Sequence, residues 1–540
     1  VRLLGVDHEV TGRYYLDEGT YYHHATAIDD GQLLVHTFVY PHFLYYADAL
    51  VLWVAARFPA VVAAGALRLY GVQEPLAVAW ILLRALVAVL SALTTLPVYA
   101  IGRRLGGGAA AALGAVLLIL SPLYNDGSHL NICDVPSAFF ATVCLAIVAR
   151  LLERETTAAY LLAGLAAGVA AGTKYPAGVA AVAIAAVWLR HRIASRRWSS
   201  GLVGAALAAV AGLLAVTPSL AVFPRLAVSS QRGLFFGVQQ YGRGGWLGVM
   251  PDSNALYYAQ QLLASFGWPL ALLGLSGLFA LPQERRRLAL WLLPYPVVFL
   301  ALLVSMNMVV KRNLYPVVPI AAALLGAGVA AWIARLPRLA ARFPRWPARA
   351  TAPLAVALVL LCLWPAGDSV ARQEVGYVSR TTREEALDWI RRHVPKGAGI
   401  VKESYTPDFA AGEYDVLQIR FAGRLTPAEL HDPQRDYLLL SSAAYGRFLD
   451  PDALVKPHQK EIAQRYKTIL DGLTPIEEWT PGEMQLGPLL QLYRLDPEPA
   501  TCKASGTLAA TDAFVPDGRM RTTDDAPLEY ELPGQWSLFK

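Results

Sequence analysis

The chain has 540 residues, is 55% hydrophobic and only 16% charged, and carries a formal net charge of +6 with a mean hydropathy of +0.39. A soluble chain of this length carries about a quarter charged residues, so the composition excludes an ordinary soluble enzyme; the excess lies in long apolar runs, which is the membrane class. The arginines form short clusters between apolar runs, as in cytoplasmic loops, which excludes nucleic acid as the partner.

The N-terminus opens on Val1 without a signal peptide and reaches an acidic, aromatic segment, Arg13-Tyr14-Tyr15-Leu16-Asp17-Glu18-Gly19-Thr20-Tyr21-Tyr22. Adjacent carboxylates among aromatics suit a general base with an orienting partner, and the rings suit a sugar. A solvated loop ending in a helix cap accounts for the same residues equally well. His23, His24, His36 and His42 follow but form no compact ligand pattern. Residues 44–66 are apolar enough to span a membrane, yet Asp48 and Arg57 fall inside them. Charges in a span are costly, so the segment reads as one or two helices at the outer interface, with Tyr45, Tyr46, Trp53 and Phe58 in the headgroup belt.

Ten apolar segments then have spanning character: 76–101, 109–122, 135–152, 159–172, 176–190, 200–221, 257–281, 288–305, 314–333 and 352–366. Five connections are basic: Arg103 and Arg104; Arg150 and Arg154; 190–197; 285–287; and 335–349. They alternate with the spans if all five are cytoplasmic, which places the first acidic loop and everything after residue 366 on the non-cytoplasmic side. Asp134 begins the third span, as a helix cap and as a second outward carboxylate; a cap can also point at a site. Gly164 and Gly168, four residues apart, read as close helix packing. Lys311 and Arg312 lie outward against the positive-inside pattern, as do Lys174 at a turn and Arg232 and Arg243 in the 222–256 loop. Cations near carboxylates suit an anionic ligand such as a lipid phosphate; headgroup binding or snorkelling is the alternative.

After residue 366 the pattern changes. Residues 383–394 read as an amphipathic helix ended by Pro395 and Gly397. Strands are predicted from Ile400 and Val401, at 414–421, at 437–440 and at 489–493, giving a small α/β domain over 367–497 and a tail over 498–540. The third contains no nucleophile elbow, phosphate loop or metal pattern, and its predicted role is acceptor binding or architecture. Cys133, Cys144, Cys362 and Cys502 fit no metal motif or disulfide framework. The fold class is therefore an α-helical polytopic membrane protein. Its domains are a first outer loop over 1–75, a transmembrane bundle of about ten helices over 76–366, and a C-terminal non-cytoplasmic α/β domain.

Taken in order, these segments resemble the GT-C superfamily of membrane glycosyltransferases, most closely the protein O-mannosyltransferase and aminoarabinose-transferase group. Leu16-Asp17-Glu18-Gly19-Thr20-Tyr21 resembles its Asp-Glu motif. Tyr40-Pro41-His42-Phe43-Leu44-Tyr45-Tyr46 is similar to the Pro-aromatic stretch that follows, and residues 128–136 to the second outer loop with its aspartate. Residues 164–176, 312–319 and 382–395 are similar to later stretches of bacterial relatives. The resemblance covers most of 13–410. It also implies a spanning helix ahead of the Asp-Glu loop, where this sequence has almost nothing.

The resemblance implies an inverting transfer of a sugar from a polyprenyl-phosphate donor to a hydroxyl of a protein, lipid or envelope glycan. The reaction would take place on the non-cytoplasmic face of the cell inner (plasma) membrane. Asp17 would be the general base, with Glu18 and Asp134 as supporting carboxylates. Lys311 and Arg312 would contact the lipid phosphate, with Lys174 and Arg243 as further candidates. Tyr21, Tyr40 and His129 are candidate acceptor or sugar contacts. No metal, cofactor or nucleotide is obligatory for such a transfer, and no ligand pattern indicates a divalent metal. A transporter or sensor with an outer α/β domain is the alternative. It predicts paired broken helices in two halves, and only one broken pair is visible.

Overall fold

A computed structural model describes residues 2–10, 16–196, 198–228, 233–234, 251, 253–307, 309–340, 351–430, 432–449 and 459–495. Two compact units emerge: Val1–Thr381 with Gly482–Leu486, and Thr382–Pro481 with Gly487–Lys540.

The first unit is helical. Among the described residues, the helices Pro75–Gly106, Asp134–Glu153, Tyr175–Ser195, Gln283–Val304 and Val318–Pro337, and the run from Pro353, are long and apolar enough to cross a membrane. The shorter apolar helices Thr157–Ala171 and Gly201–Val216 join them, as do two bent pairs, Gly108–Ile119 with Pro122–His129 and Asn254–Phe266 with Trp268–Leu278. Together they fall on the ten segments predicted from hydropathy, and the chain is a multi-pass membrane protein. Two glycines explain one tight contact. A Cβ at Gly164 would lie 2.0 Å from the Ala205 carbonyl oxygen, and one at Gly168 equally close to that of Ala209. Helices Thr157–Ala171 and Gly201–Val216 thus pack backbone to backbone, as small residues at four-residue spacing allow.

Several segments depart from straight spans, among them Gly108–Ile119 with Pro122–His129, which meet at 56°. The predicted span 257–281 is two helices meeting at 97°, turning at Gly267, whose φ of +74° favours glycine. Residues 44–66 are also two helices, Phe43–Ala55 and Pro59–Tyr70, meeting at 101°. Arg57 occupies their corner, its guanidinium 4.1 Å from the Trp53 ring centroid, whereas Asp48 is fully buried. The helix predicted to end at 366 runs from Thr351 through Pro365 to Val378.

Three of the basic connections gather at one end of the bundle. Arg104 pairs with Glu153 at 3.4 Å, Arg192 with Glu155, and Arg190 Nη1 donates to the Leu152 carbonyl at 2.8 Å. Helix Asp134–Glu153 is 20 residues long, about 30 Å at 1.5 Å per residue, and Asp134 is at its other end.

The second unit is α/β, as predicted. Its strands are β1 (Gly399–Glu403), β2 (Asp415–Ile419), β3 (Tyr437–Ser441), β4 (Glu477–Trp479) and β5 (Leu490–Arg494), in the order β2-β1-β3-β5-β4. β1 pairs in parallel with β2 and β3, while β5 runs antiparallel to β3 and β4. The predicted amphipathic helix, Thr382–His393, packs Ala386 and Ile390 against Ile400, Leu439, Leu490 and Leu492. Four strands fall on the four predicted runs. β4 is three residues long, too short for any period to show, and helices Ser442–Leu449 and Lys460–Gly472 were not predicted.

Glu403 ends β1 and is fully buried. Its carboxylate accepts from the Tyr466 hydroxyl, from Ala422 N at 2.6 Å and from Ser441 N at 3.1 Å. Burial pushes its carboxyl up to about 7, against the pull of these three donors. The 498–540 tail lies outside the described residues.

Candidate active site

Four distant stretches of chain meet at the bundle end opposite the arginine clusters. Asp17 and Glu18 lie in the first turn of helix Leu16–Asp29, and Asp134 in that of Asp134–Glu153; free N–H groups and the helix dipole favour carboxylates there. Asp134 is the first helical residue, with Cys133 at the cap position making no side-chain cap bond. The carboxylate of Asp134 turns instead to Lys174, whose Nζ lies 2.5 Å from Oδ1. Lys174 also donates to Asn313 Oδ1 at 3.2 Å, which ties it to the 3-10 turn Lys311–Leu314.

That turn supplies the other two cations. Arg312 Nη1 lies 2.6 Å from Asp17 Oδ2, and Lys311 Nζ lies 3.0 Å from Asp126 Oδ2. Asp126 holds Lys311's ammonium above its ordinary range. The three pairs grade from enclosed to open. Asp134 and Lys174 are 5% and 15% exposed, Asp17 and Arg312 37% and 32%, and Lys311 54%. An incoming anion therefore meets Lys311 and Arg312 first and Lys174 last.

Glu18 has a different part from its neighbour. It is buried in a bidentate pair with Arg84, whose Nε and Nη2 donate at 2.8 Å to Oε1 and Oε2. Asn131 N donates to Glu18 Oε1 at 2.6 Å, and Arg84 Nη1 caps the carbonyls of Val6 and His8. Glu18 thus fixes the turn carrying Asp17 to the loop carrying Asp134. Asp126 is similarly braced, accepting from the hydroxyls of Tyr377 at 3.1 Å and Tyr315 at 3.3 Å. Gly127 makes room for this, since a Cβ there would fall 2.1 Å from Tyr315 Cε2.

The remaining sequence candidates are placed less directly. Tyr21 is buried, its ring 5.7 Å from that of the half-buried Tyr40 and 5.4 Å from that of Tyr45. His129 is fully buried and stacks on Tyr377 at 4.0 Å, with Nδ1 3.1 Å from the Asn125 carbonyl and Nε2 3.0 Å from that of Leu4. It braces Tyr377, which in turn braces Asp126. Arg232 and Arg243 lie outside the described residues. Among the described residues, no group of three or more His, Cys, Asp or Glu is arranged to hold a metal ion. Sequence reasoning missed Asp126, Asn313 and Arg84. Arg84 had a signal, a lone arginine within the apolar run 76–101, where a charge marks a buried partner.

Residues 53–221 match the dolichyl-phosphate-mannose-protein mannosyltransferase family; they include Arg84, Asp126, Asp134 and Lys174 but not Asp17, Lys311 or Arg312. No curated protein matches the chain by sequence. The structure is similar to ArnT from Cupriavidus metallidurans in the apo state, at 16% identity and a TM-score of 0.50, over 91% of this chain and 95% of that one. The same protein bound to undecaprenyl phosphate matches with a TM-score of 0.49 at 16% identity, over 91% and 96% of the two chains. The archaeal oligosaccharyltransferase AglB from Archaeoglobus fulgidus, in complex with an inhibitory peptide and a dolichol-phosphate, matches with 0.48 at 14% identity, over 81% and 67%. The apo ArnT match extends over nearly the whole of both chains and carries the fold, and the family match falls on the helices that build half of the charged cluster. The chain thus has the fold of apo ArnT over nearly its whole length, and its residues 53–221 are similar to the mannosyltransferase family.

Proposed function

We propose that the chain is an inverting glycosyltransferase that moves a sugar from a polyprenyl-phosphate donor to a hydroxyl acceptor. The reaction face would be the non-cytoplasmic side of the inner (plasma) membrane. The observation that carries the reading is the part-exposed Asp17 carboxylate, 2.6 Å from Arg312, whose neighbour in the Lys311–Leu314 turn is Lys311. A potential base thus stands beside cations that can take a phosphate. The family match over 53–221 supports a lipid-phosphate donor. The arginine clusters at the opposite bundle end support the orientation.

In this mechanism the acceptor oxygen attacks the anomeric carbon from the face opposite the phosphate. The bond from that carbon to the phosphate oxygen breaks, its electron pair leaves with the phosphate, and the configuration inverts. The hydroxyl proton passes to a carboxylate oxygen of Asp17. Arg312 and Lys311 stabilise the departing phosphate, Arg312 with a planar fork and Lys311 as a point charge. Lys174 and Asp134 hold the 311–314 turn in place, and Glu18 positions Asp17. Tyr40 would face the sugar ring with Tyr21 behind it, and His129 would set the loop beneath.

The test is transfer in vitro. Purified full-length protein is offered a panel of polyprenyl-phosphate sugars with a membrane extract as acceptor. Transfer from one donor is expected, falling in Asp17→Asn by about a hundredfold or more, the usual scale of a lost general base. Wild-type rates in Asp17→Asn would refute the base assignment. Correctly folded protein that transfers from no donor would refute the enzyme reading.

A further inference from the structure

Asp48 lies on helix Phe43–Ala55 and is fully buried. Its Oδ2 accepts from Asn131 Nδ2 at 2.7 Å. Among the described residues its Oδ1 has no hydrogen-bond partner, and neither has Asn131 Oδ1. Two buried acceptors are thus orphaned on two groups already joined by one bond. Buried carboxylates and amides are rarely left in this state, because each lone oxygen has lost its water without replacement.

The surrounding charges do not relieve it. The nearby charge is Glu18, from helix Leu16–Asp29, and the cation beside Glu18 is Arg84, from helix Pro75–Gly106. Arg84 commits Nε and Nη2 to Glu18 and Nη1 to the carbonyls of Val6 and His8. Among the described residues, Asp48 has no ion pair. An ionised Asp48 would be a second buried carboxylate beside Glu18 with no cation of its own. One proton resolves all three difficulties. Placed on Asp48 Oδ1, it neutralises the group and donates to Asn131 Oδ1.

We propose that Asp48 is kept as a neutral carboxylic acid, locked to Asn131 in a two-bond acid–amide pair, and that this pair is a positioning device for the charged site. The lock fixes the side chain of Asn131, whose backbone N–H donates to Glu18 at 2.6 Å. Glu18 adjoins Asp17, and Asn131 lies three residues before Asp134. A single protonated carboxyl therefore sets the turns that carry both site carboxylates. The positioning role rests on the proposed transfer reaction; the acid–amide pair does not.

The experiment uses full-length protein in detergent. Infrared difference spectra of wild type against Asp48→Asn at neutral pH are expected to show a protonated-carboxyl C=O band that moves in heavy water and is absent from the variant. Asp48→Asn keeps two bonds to Asn131, as an amide–amide pair, and is expected to melt with wild type; Asp48→Leu keeps neither and is expected to melt lower. Asn131→Asp puts two carboxyls on one proton and is expected to lower transfer by about tenfold, the scale of one buried hydrogen bond to a charged group. The swap Asp48→Asn/Asn131→Asp restores one acid and one amide, and with them the transfer. An ionised carboxylate in the wild-type spectrum would overturn the pairing. So would a cation, sodium or a divalent metal, that raises the melting temperature of wild type but not of Asp48→Asn. Failure of the swap to rescue Asn131→Asp would overturn the positioning role. If neither wild type nor any variant transfers sugar while the infrared band stands, the proposed function falls and the acid–amide pair remains.

Discussion

Replacing Glu18 with alanine removes the carboxylate from a pair in which Arg84 is 2% and Glu18 1% exposed. The guanidinium would keep the carbonyls of Val6 and His8 but lose its carboxylate, and Asn131 N would lose its acceptor. Breaking a buried pair from one side costs about 3–5 kcal/mol, because the remaining charge stays buried without its partner. Taking out both charges with Glu18→Leu/Arg84→Met leaves no stranded charge, so the pair variant is expected to lose about 2 kcal/mol less than Glu18→Ala alone, or more. By contrast, Lys311–Asp126, with a half-exposed lysine, is worth about 1 kcal/mol or less. Reversible denaturant unfolding of the purified protein in mixed micelles, run on Glu18→Ala, Glu18→Leu, Arg84→Met and the double, gives the loss and, from the last three, the coupling. A Glu18→Ala loss under about 1 kcal/mol, or a coupling under about 0.5 kcal/mol, would refute the claim that this pair anchors the Asp17 turn.

Other outcomes follow from the same structure. Gly168→Leu would drive a side chain into the Ala209 carbonyl and is expected to lower the melting temperature sharply. Gly65→Ala, with nothing within 4 Å, is expected to raise stability by up to about 1 kcal/mol in the helix Pro59–Tyr70; equal melts for the two would show that the close packing is not as described. Lys311→Met is expected to leave stability within about 1 kcal/mol of wild type while raising the donor KM about tenfold or more, read in the transfer assay; an unchanged KM would remove Lys311 from the phosphate site. Glu403 has a folded value of about 7 against an ordinary 4.5, so the folded second unit holds its proton more tightly than the unfolded chain does. That contribution, roughly 3 kcal/mol, is complete below about pH 4.5 and is lost as pH rises through 7. Hydrogen exchange of the β1 and β3 amides, corrected for intrinsic rates, should show weaker protection at pH 8 than at pH 6, and Glu403→Gln should flatten the difference; protection that rises with pH would reverse the assignment.

The reach of the sequence differs from residue to residue. Spans were legible because a membrane imposes one length and one polarity on every crossing, and Gly164 and Gly168 declared their contact by spacing alone. The adjacency of Asp17 and Glu18 was legible, but their division of labour was not, because it depends on Arg84, 66 residues further on, inside an apolar helix. Asp126 lay just ahead of the motif that drew attention to Asp134, and only the fold brings Lys311, Tyr315 and Tyr377 around it. Asp48 stood out as a charge that spoils a span; its orphaned oxygen is visible only once Asn131 is placed beside it. The right-angled break at Gly267 escaped because hydropathy counts apolar residues without reporting their direction.

The three ion pairs of the site balance to zero net charge. Such a site does not attract a phosphate as an open basic pocket does; it admits one by exchange. Each cation that turns to the newcomer lets go of a carboxylate, and the carboxylate released from Arg312 is Asp17. Arrival of the donor would then unmask the base, and departure of the lipid phosphate would close it again, so that the protein's own aspartates serve as counter-ions between turnovers.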